Sequence, residues 1–175
     1  MRRISVGVAV SIAALLAVMV VSAGASEGAL TAQARLSGFQ EVTPKLTAGN
    51  GTFSATITGN QLSYRLTFSG LSSDAFMSHI HFGQRAVNGG IFIWLCGSAA
   101  APGPAGTPTC PAQGGTVTGV ATPASVQAVG GQNVSAGDFN GAIAILRSGE
   151  AYVNVHTTNF PGGEIRGQVS TESED

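Results

Sequence analysis

TFSATITGNQLSYRLTF, residues Thr52–Phe68, reads as two strands joined by a two-residue turn. Phe53, Ala55 and Ile57 alternate with Thr52, Ser54, Thr56 and Thr58. After Gly59-Asn60, the residues Leu62, Tyr64, Leu66 and Phe68 alternate with Ser63, Arg65 and Thr67. A period of two gives each run one apolar and one wet face, and glycine supplies the positive φ that a two-residue hairpin loop needs. Wound as a helix, the same residues would put polar groups on every side.

The pattern continues on both sides of the hairpin. Leu30, Ala32, Ala34 and Leu36 alternate with Thr31, Gln33 and Arg35, which predicts another half-buried strand. Phe76–Phe82 alternates again, with Met77, His79 and His81 on one side and Phe76, Ser78, Ile80 and Phe82 on the other. Ile91–Cys96, IFIWLC, is apolar on both faces and predicts a central strand covered on both sides. Thr116–Ala121, Ala151–Thr157 and Gly163–Val169 complete the set, the last two joined through Pro161-Gly162-Gly163. Asp138–Arg147 breaks the rule. Asp138 can cap, Phe139, Ile143 and Leu146 recur at helical spacing, and Gly149 can end a helix; a strand over Ala142–Leu146 is the rival reading. Seven to eight short strands with one short helix predict a Greek-key β-sandwich or barrel.

Composition agrees: 10% of residues are charged and 25 are glycine, which favours short strands and turns over amphipathic helices. Arg2 and Arg3 precede an apolar run, Ile4–Val21, and Ala23-Gly24-Ala25 follows as a small-residue cleavage site. This is the layout of a signal peptide over residues 1–25, cleaved near Ala25/Ser26. The alternative is a retained anchor, which would be the chain's one membrane attachment. The organisation expected is therefore signal peptide 1–25, one β domain 26–170, and an acidic, frayed tail 171–175. The mature chain would carry six basic and nine acidic residues, so no basic patch for nucleic acid is present. The protein is expected to be secreted or held in the cell envelope, and any partner is then extracellular. Asn50 and Asn133 head glycosylation sequons, which matter only in a host that uses them.

Cys96 and Cys110 are the sole cysteines. In an exported chain such a pair reads as a disulfide, closing the Ala-, Pro- and Gly-rich segment Gly97–Thr109. Their spacing fits neither a CxxC redox motif nor a zinc knuckle.

The three histidines are the candidate chemistry. His79 and His81, at i and i+2, project from one strand face side by side, a recurrent way to offer two nitrogens to copper or zinc. His156 lies in another strand, and pairing the two strands would gather all three rings. Met77 shares the face of His79 and His81, and its thioether would favour Cu(I). A site of free imidazoles would lose metal as pH falls through about 6.5. The alternative is structural: histidines hydrogen-bonded to backbone or to Glu164. Glu164 and Arg166 share a face and read as an ion pair or backbone clamp, or else Glu164 orients a ligand histidine. Asn154 shares a face with His156 and Tyr152. No catalytic residues are identified: Ser78 and His79 point to opposite faces, and the carboxylates show no paired spacing.

At Ser78–Gly83 (SHIHFG), Val153–Thr157 (VNVHT), Pro161–Val169 (PGGEIRGQV) and the opening Leu36–Val42 (LSGFQEV) the chain resembles the CHRD family, named after chordin. The resemblance covers about Thr31–Val169. It implies an exported β-sandwich domain with no established catalytic activity, in bacteria often alone behind a signal peptide. The function expected is thus a non-enzymatic binding or structural module outside the cell; the alternative is a copper- or zinc-binding protein using a three-histidine site. A looser resemblance is to copper/zinc superoxide dismutase, which also carries a His-x-His strand. That enzyme's two-metal site needs more histidines than the three present here, so its activity is not carried over.

Overall fold

A computed structural model describes residues 29–173. The signal peptide expected over 1–25 lies outside them. The strands are β1 (Leu30–Ser37), β2 (Asn50–Thr58), β3 (Gln61–Ser69), β4 (Ala75–Phe82), β5 (Gly90–Cys96), β6 (Gly115–Ala121), β7 (Ala151–Thr157), β8 (Ile165–Gln168) and β9 (Ser170–Ser173). The helix is α1 (Phe139–Arg147). All strand pairs are antiparallel, in the order β5-β4-β7-β8-β1-β2-β3-β6, with β9 continuing along β1.

The hairpin has the expected register, Thr58 opposite Gln61 around Gly59 at φ +53°. Its apolar residues all face inward: Phe53, Leu62, Leu66 and Phe68 are buried, and their polar neighbours face outward. Complete burial of one such side chain contributes roughly 1.5–3 kcal/mol, so the alternation itself sets which face closes on the core. Ile80, Val153, Val155 and Ile165 complete that core from β4, β7 and β8. Helix α1 lies beside Leu30 and Ile57, burying Phe139, Ala142 and Leu146. Asp138 caps it by accepting from Gly141 N at 2.8 Å. The helical reading of this stretch therefore holds over its strand rival.

Two expectations are corrected. Strand β5 stands at the end of the sheet order rather than at its centre. It is nonetheless covered on both sides because the sheet curls until β5 lies beside β6. Tyr64 Oη donates to Leu95 O at 2.7 Å, and Gln127 N donates to Phe92 O at 2.9 Å, so the free edge finds partners across the seam. An apolar run reports coverage, and near-closure supplies coverage without a second strand partner. The strand buried at every position is β7.

The second correction concerns the part of the acidic tail that the structure describes, Thr171–Ser173. Ser170–Ser173 is not frayed but forms β9, with Leu30 opposite Ser173 and Gln33 opposite Ser170. Its side chains stay largely exposed, so nothing in their polarity signals the strand; the backbone ladder holds it.

Cys96 and Cys110 are joined, as the sequence predicts. The enclosed loop is also tied by Gly97 N to Pro108 O at 2.9 Å and Cys110 N to Gly97 O at 2.8 Å. Among the described residues, no helix is long and apolar enough to cross a membrane. Replacing both cysteines with alanine should lower the unfolding free energy by about 3 kcal/mol, the loop-closure value for this separation. Urea denaturation at pH 7 measures it, and an unchanged midpoint would contradict a stabilising role for the bond.

Candidate metal centre

The pairing of β4 with β7 assembles the site. Ser78 and Ile80 point into the core, so Met77, His79 and His81 take the outer face. Across the ladder, His81 faces Tyr152, His79 faces Asn154 and Met77 faces His156. His156 thus sits diagonally next to His79, within side-chain reach on an antiparallel pair. Ring centroids are 5.0 Å apart for His79–His156, 5.5 Å for His79–His81 and 6.3 Å for His81–His156. One nitrogen from each ring lies within 4.8 Å of those from the other two, and all three residues are buried. The sequence thus locates three rings that the fold does bring together.

The hydrogen bonds assign the nitrogens. His81 Nδ1 lies 2.9 Å from Gly89 O, and His156 Nδ1 lies 2.8 Å from Pro161 O. A carbonyl oxygen only accepts, so each Nδ1 carries the ring hydrogen and each Nε2 keeps its lone pair. His81 Nε2 has no partner, and neither nitrogen of His79 has one. His156 Nε2 faces Asn154 Oδ1 at 3.0 Å. Two lone pairs then oppose one another, a clash relieved by turning the amide over or by a cation. Leaving a buried polar atom unpaired costs about 1–3 kcal/mol, and this cluster has several.

Burial also sets the charge. Removal from water pushes His79 down to about 2, with the His156 and His81 rings adding to the fall. Burial pushes His81 down to about 4, partly opposed by its bond to Gly89 O. Burial lowers His156 as well, against its bond to Pro161 O. All three rings are neutral at pH 7 and competent as ligands. The pH at which protons compete for them therefore lies below the 6.5 expected of free imidazole.

Aromatic rings wall the site. Trp94, opposite His79 on β5, packs edge-on against it with centroids 4.2 Å apart. Tyr152 stacks on His81 at 4.6 Å and 5°. The Arg166 guanidinium covers the other face of Tyr152, 3.4 Å from its centroid. Arg166 is not paired with Glu164. It donates to Gln84 O and Val87 O, both at 2.9 Å, and to Asn88 Oδ1 at 3.3 Å, pinning the loop that carries Gly89.

Glu164 ties three segments together, and its bonds go to no histidine. It accepts from Thr47 Oγ1, Ser72 N, Ser72 Oγ and Thr157 Oγ1 at 2.5–2.8 Å. Burial works to raise its pKa, and those four bonds outweigh it and hold the carboxyl below its usual range. Asn154 touches His156 through its side-chain oxygen.

Glu41 is the residue sequence reasoning passed over. It is buried, and its Oε1 has no hydrogen-bond partner. Burial pushes its carboxyl up to about 7, against the pull of Arg166, the Val42 amide, Lys45 and Asn154. It closes over Gly163, at φ +121°, where a Cβ would strike both the Glu41 carboxylate and the Asn154 amide. The PGG turn is thus glycine-bound because Glu41 occupies the space. The only sequence sign was its place in LSGFQEV, since a lone Glu in a loop otherwise reads as solvated.

A family model described as CHRD domain matches residues 32–169. No curated protein matches the chain, and no solved structure does.

The shifts predict how acid acts on the metal-free protein. Unfolded histidine binds a proton below about 6.5 and the folded rings refuse it, so their contribution is intact above that pH and is lost on acidification toward 4 and below. Glu41 works the other way, because the folded state keeps its proton up to about 7 while the unfolded carboxyl releases it near 4.5. Between pH 7 and 5 stability should fall, and should fall more steeply in Glu41→Gln by up to about 1.4 kcal/mol per pH unit. Urea denaturation across that range reads it; equal slopes would contradict the raised Glu41 carboxyl.

Proposed function

The chain belongs to the CHRD domain family, and we propose that it is an exported, non-enzymatic domain that holds one copper or zinc ion on His79, His81 and His156. The observation that carries this reading is the convergence of three buried, neutral imidazoles, with unpartnered nitrogens on His79 and His81. The fit is chemical as well as geometric. A ligand histidine characteristically donates its other ring N–H to a carbonyl or carboxylate, and Gly89 O and Pro161 O do this for His81 and His156. Zinc–nitrogen bonds of about 2.0–2.1 Å ask the nitrogens to close inward by roughly an ångström or less, within side-chain adjustment.

Export is supported by the signal-peptide pattern of residues 1–25 and by the Cys96–Cys110 disulfide, which belongs to oxidising compartments. The non-enzymatic reading is supported by the burial of all three rings, with Trp94 and Tyr152 packed against them, an arrangement suited to retaining an ion. Partners, on this reading, are met outside the cell or at its surface. A second reading has the support of the Arg166–Tyr152–His81 stack, which would stiffen a purely structural module without any ion.

Titration of untagged, chelator-stripped protein with Zn(II) and Cu(II) tests the proposal. One ion per chain should bind, and His81→Ala should weaken binding at least about 100-fold, the upper end of what losing even an outer-shell partner costs. Equal binding by wild type and His81→Ala would leave the structural module.

A further inference from the structure

Resting on that reading, we infer that the resident ion is monovalent copper, with the Met77 thioether as fourth ligand and Trp94 beside it. The first argument is charge. The donors gathered here are neutral imidazoles, and the cluster includes no carboxylate or thiolate among the described residues. Of the buried carboxylates nearby, Glu164 is committed to Thr47, Ser72 and Thr157, and Glu41 lies over Gly163, outside the cluster of ligand atoms. The cost of burying an ion rises with the square of its charge and is severe without a compensating partner. A divalent ion among neutral ligands, with Arg166 behind Tyr152, would leave two uncompensated positive charges buried where a monovalent one leaves a single charge.

The second argument is the donor that the fold places next to the rings. Between the pairs Ala75–Thr157 and Met77–His156 the register slips by one residue, leaving Phe76 as an extra residue on β4. A bulge of this kind re-aims side chains. Phe76 lies with its ring 6.3 Å from that of His156, and Met77 is the register partner of His156. Directly opposed residues hold their Cβ atoms about 4.5–5.5 Å apart, and a methionine with three rotatable bonds spans that readily. Met77 is half-buried where the histidines are buried. Thioether sulfur selects soft Cu(I), whereas zinc gains little from it. Trp94, also half-buried, presents the one indole of the protein against His79 at 4.2 Å, a polarizable neighbour for a soft cation.

The test is competition on the untagged, disulfide-intact protein, with Cu(I) supplied anaerobically from its bicinchoninate complex under ascorbate. Trp94 emission reports occupancy, because no other tryptophan contributes. Cu(I) should bind one per chain and quench that emission, and a hundredfold excess of Zn(II) should not restore it. Met77→Leu, close in volume, should weaken Cu(I) binding about tenfold or more and leave Zn(II) affinity within about twofold, a soft-donor effect. X-ray absorption on wild-type protein gives a readout independent of the variant's folding: one sulfur neighbour at copper beside the nitrogens. Zinc displacing copper at equal concentration, or a copper shell without sulfur, overturns the inference while leaving metal binding intact. Failure of every ion to bind overturns this inference and the metal-binding function together.

Discussion

The antiparallel register of β4 on β7 is the constraint on which the rest depends. One phase of the ladder sends Ile80, Val153 and Val155 into the barrel core, and the opposite phase sends His79, His81 and His156 to the outer face. A slip of one residue would exchange the two sets, placing imidazoles in the hydrocarbon core and aliphatic side chains beneath the loops. The core therefore specifies the site. The apolar residues that hold the fold together are also those that fix where the rings stand.

Burying three imidazoles outside the core needs a second layer, and the chain builds it from loops. Glu164 ties the segment around Thr47 and Ser72 to the end of β7 through four hydrogen bonds. Arg166, two residues on, reaches the opposite way and holds Gln84, Val87 and Asn88, which sets Gly89 O against His81. Glu41 closes the third side over Gly163. Each of these polar groups is itself buried, and Glu164 and Arg166 hold their part of the cover by satisfied polar contacts rather than by apolar packing. Such networks are costly when one member is left unpaired, and the unpaired members concentrate at the histidines and at Glu41.

Much of this was legible because it follows from short-range periodicity. The hairpin at Gly59-Asn60, the helix capped by Asp138, the disulfide and the shared face of His79 and His81 are all local statements. The convergence of His156 needed a strand pairing, which the distinctive VNVHT and SHIHFG stretches suggested and no local rule could fix. What escaped depends on distant contacts. Strand β9 is polar because it lies on the surface, so it looked like a tail. Strand β5 looked central because near-closure covers an edge as well as a neighbour does. Glu164 and Arg166 share a face as read, yet separate partners on opposite sides divide them. Glu41 had no local pattern at all, since its burial is the work of a turn more than a hundred residues away.

The most direct measurement of the central claim is anomalous diffraction from crystals of untagged protein grown without chelator and soaked with copper or zinc, with data collected on both sides of the metal edge. The account predicts one anomalous peak per chain, about 2.0–2.1 Å from one ring nitrogen of each of His79, His81 and His156 for zinc and comparably close for copper. A featureless map at the three rings, or a peak that engages none of them, would contradict it.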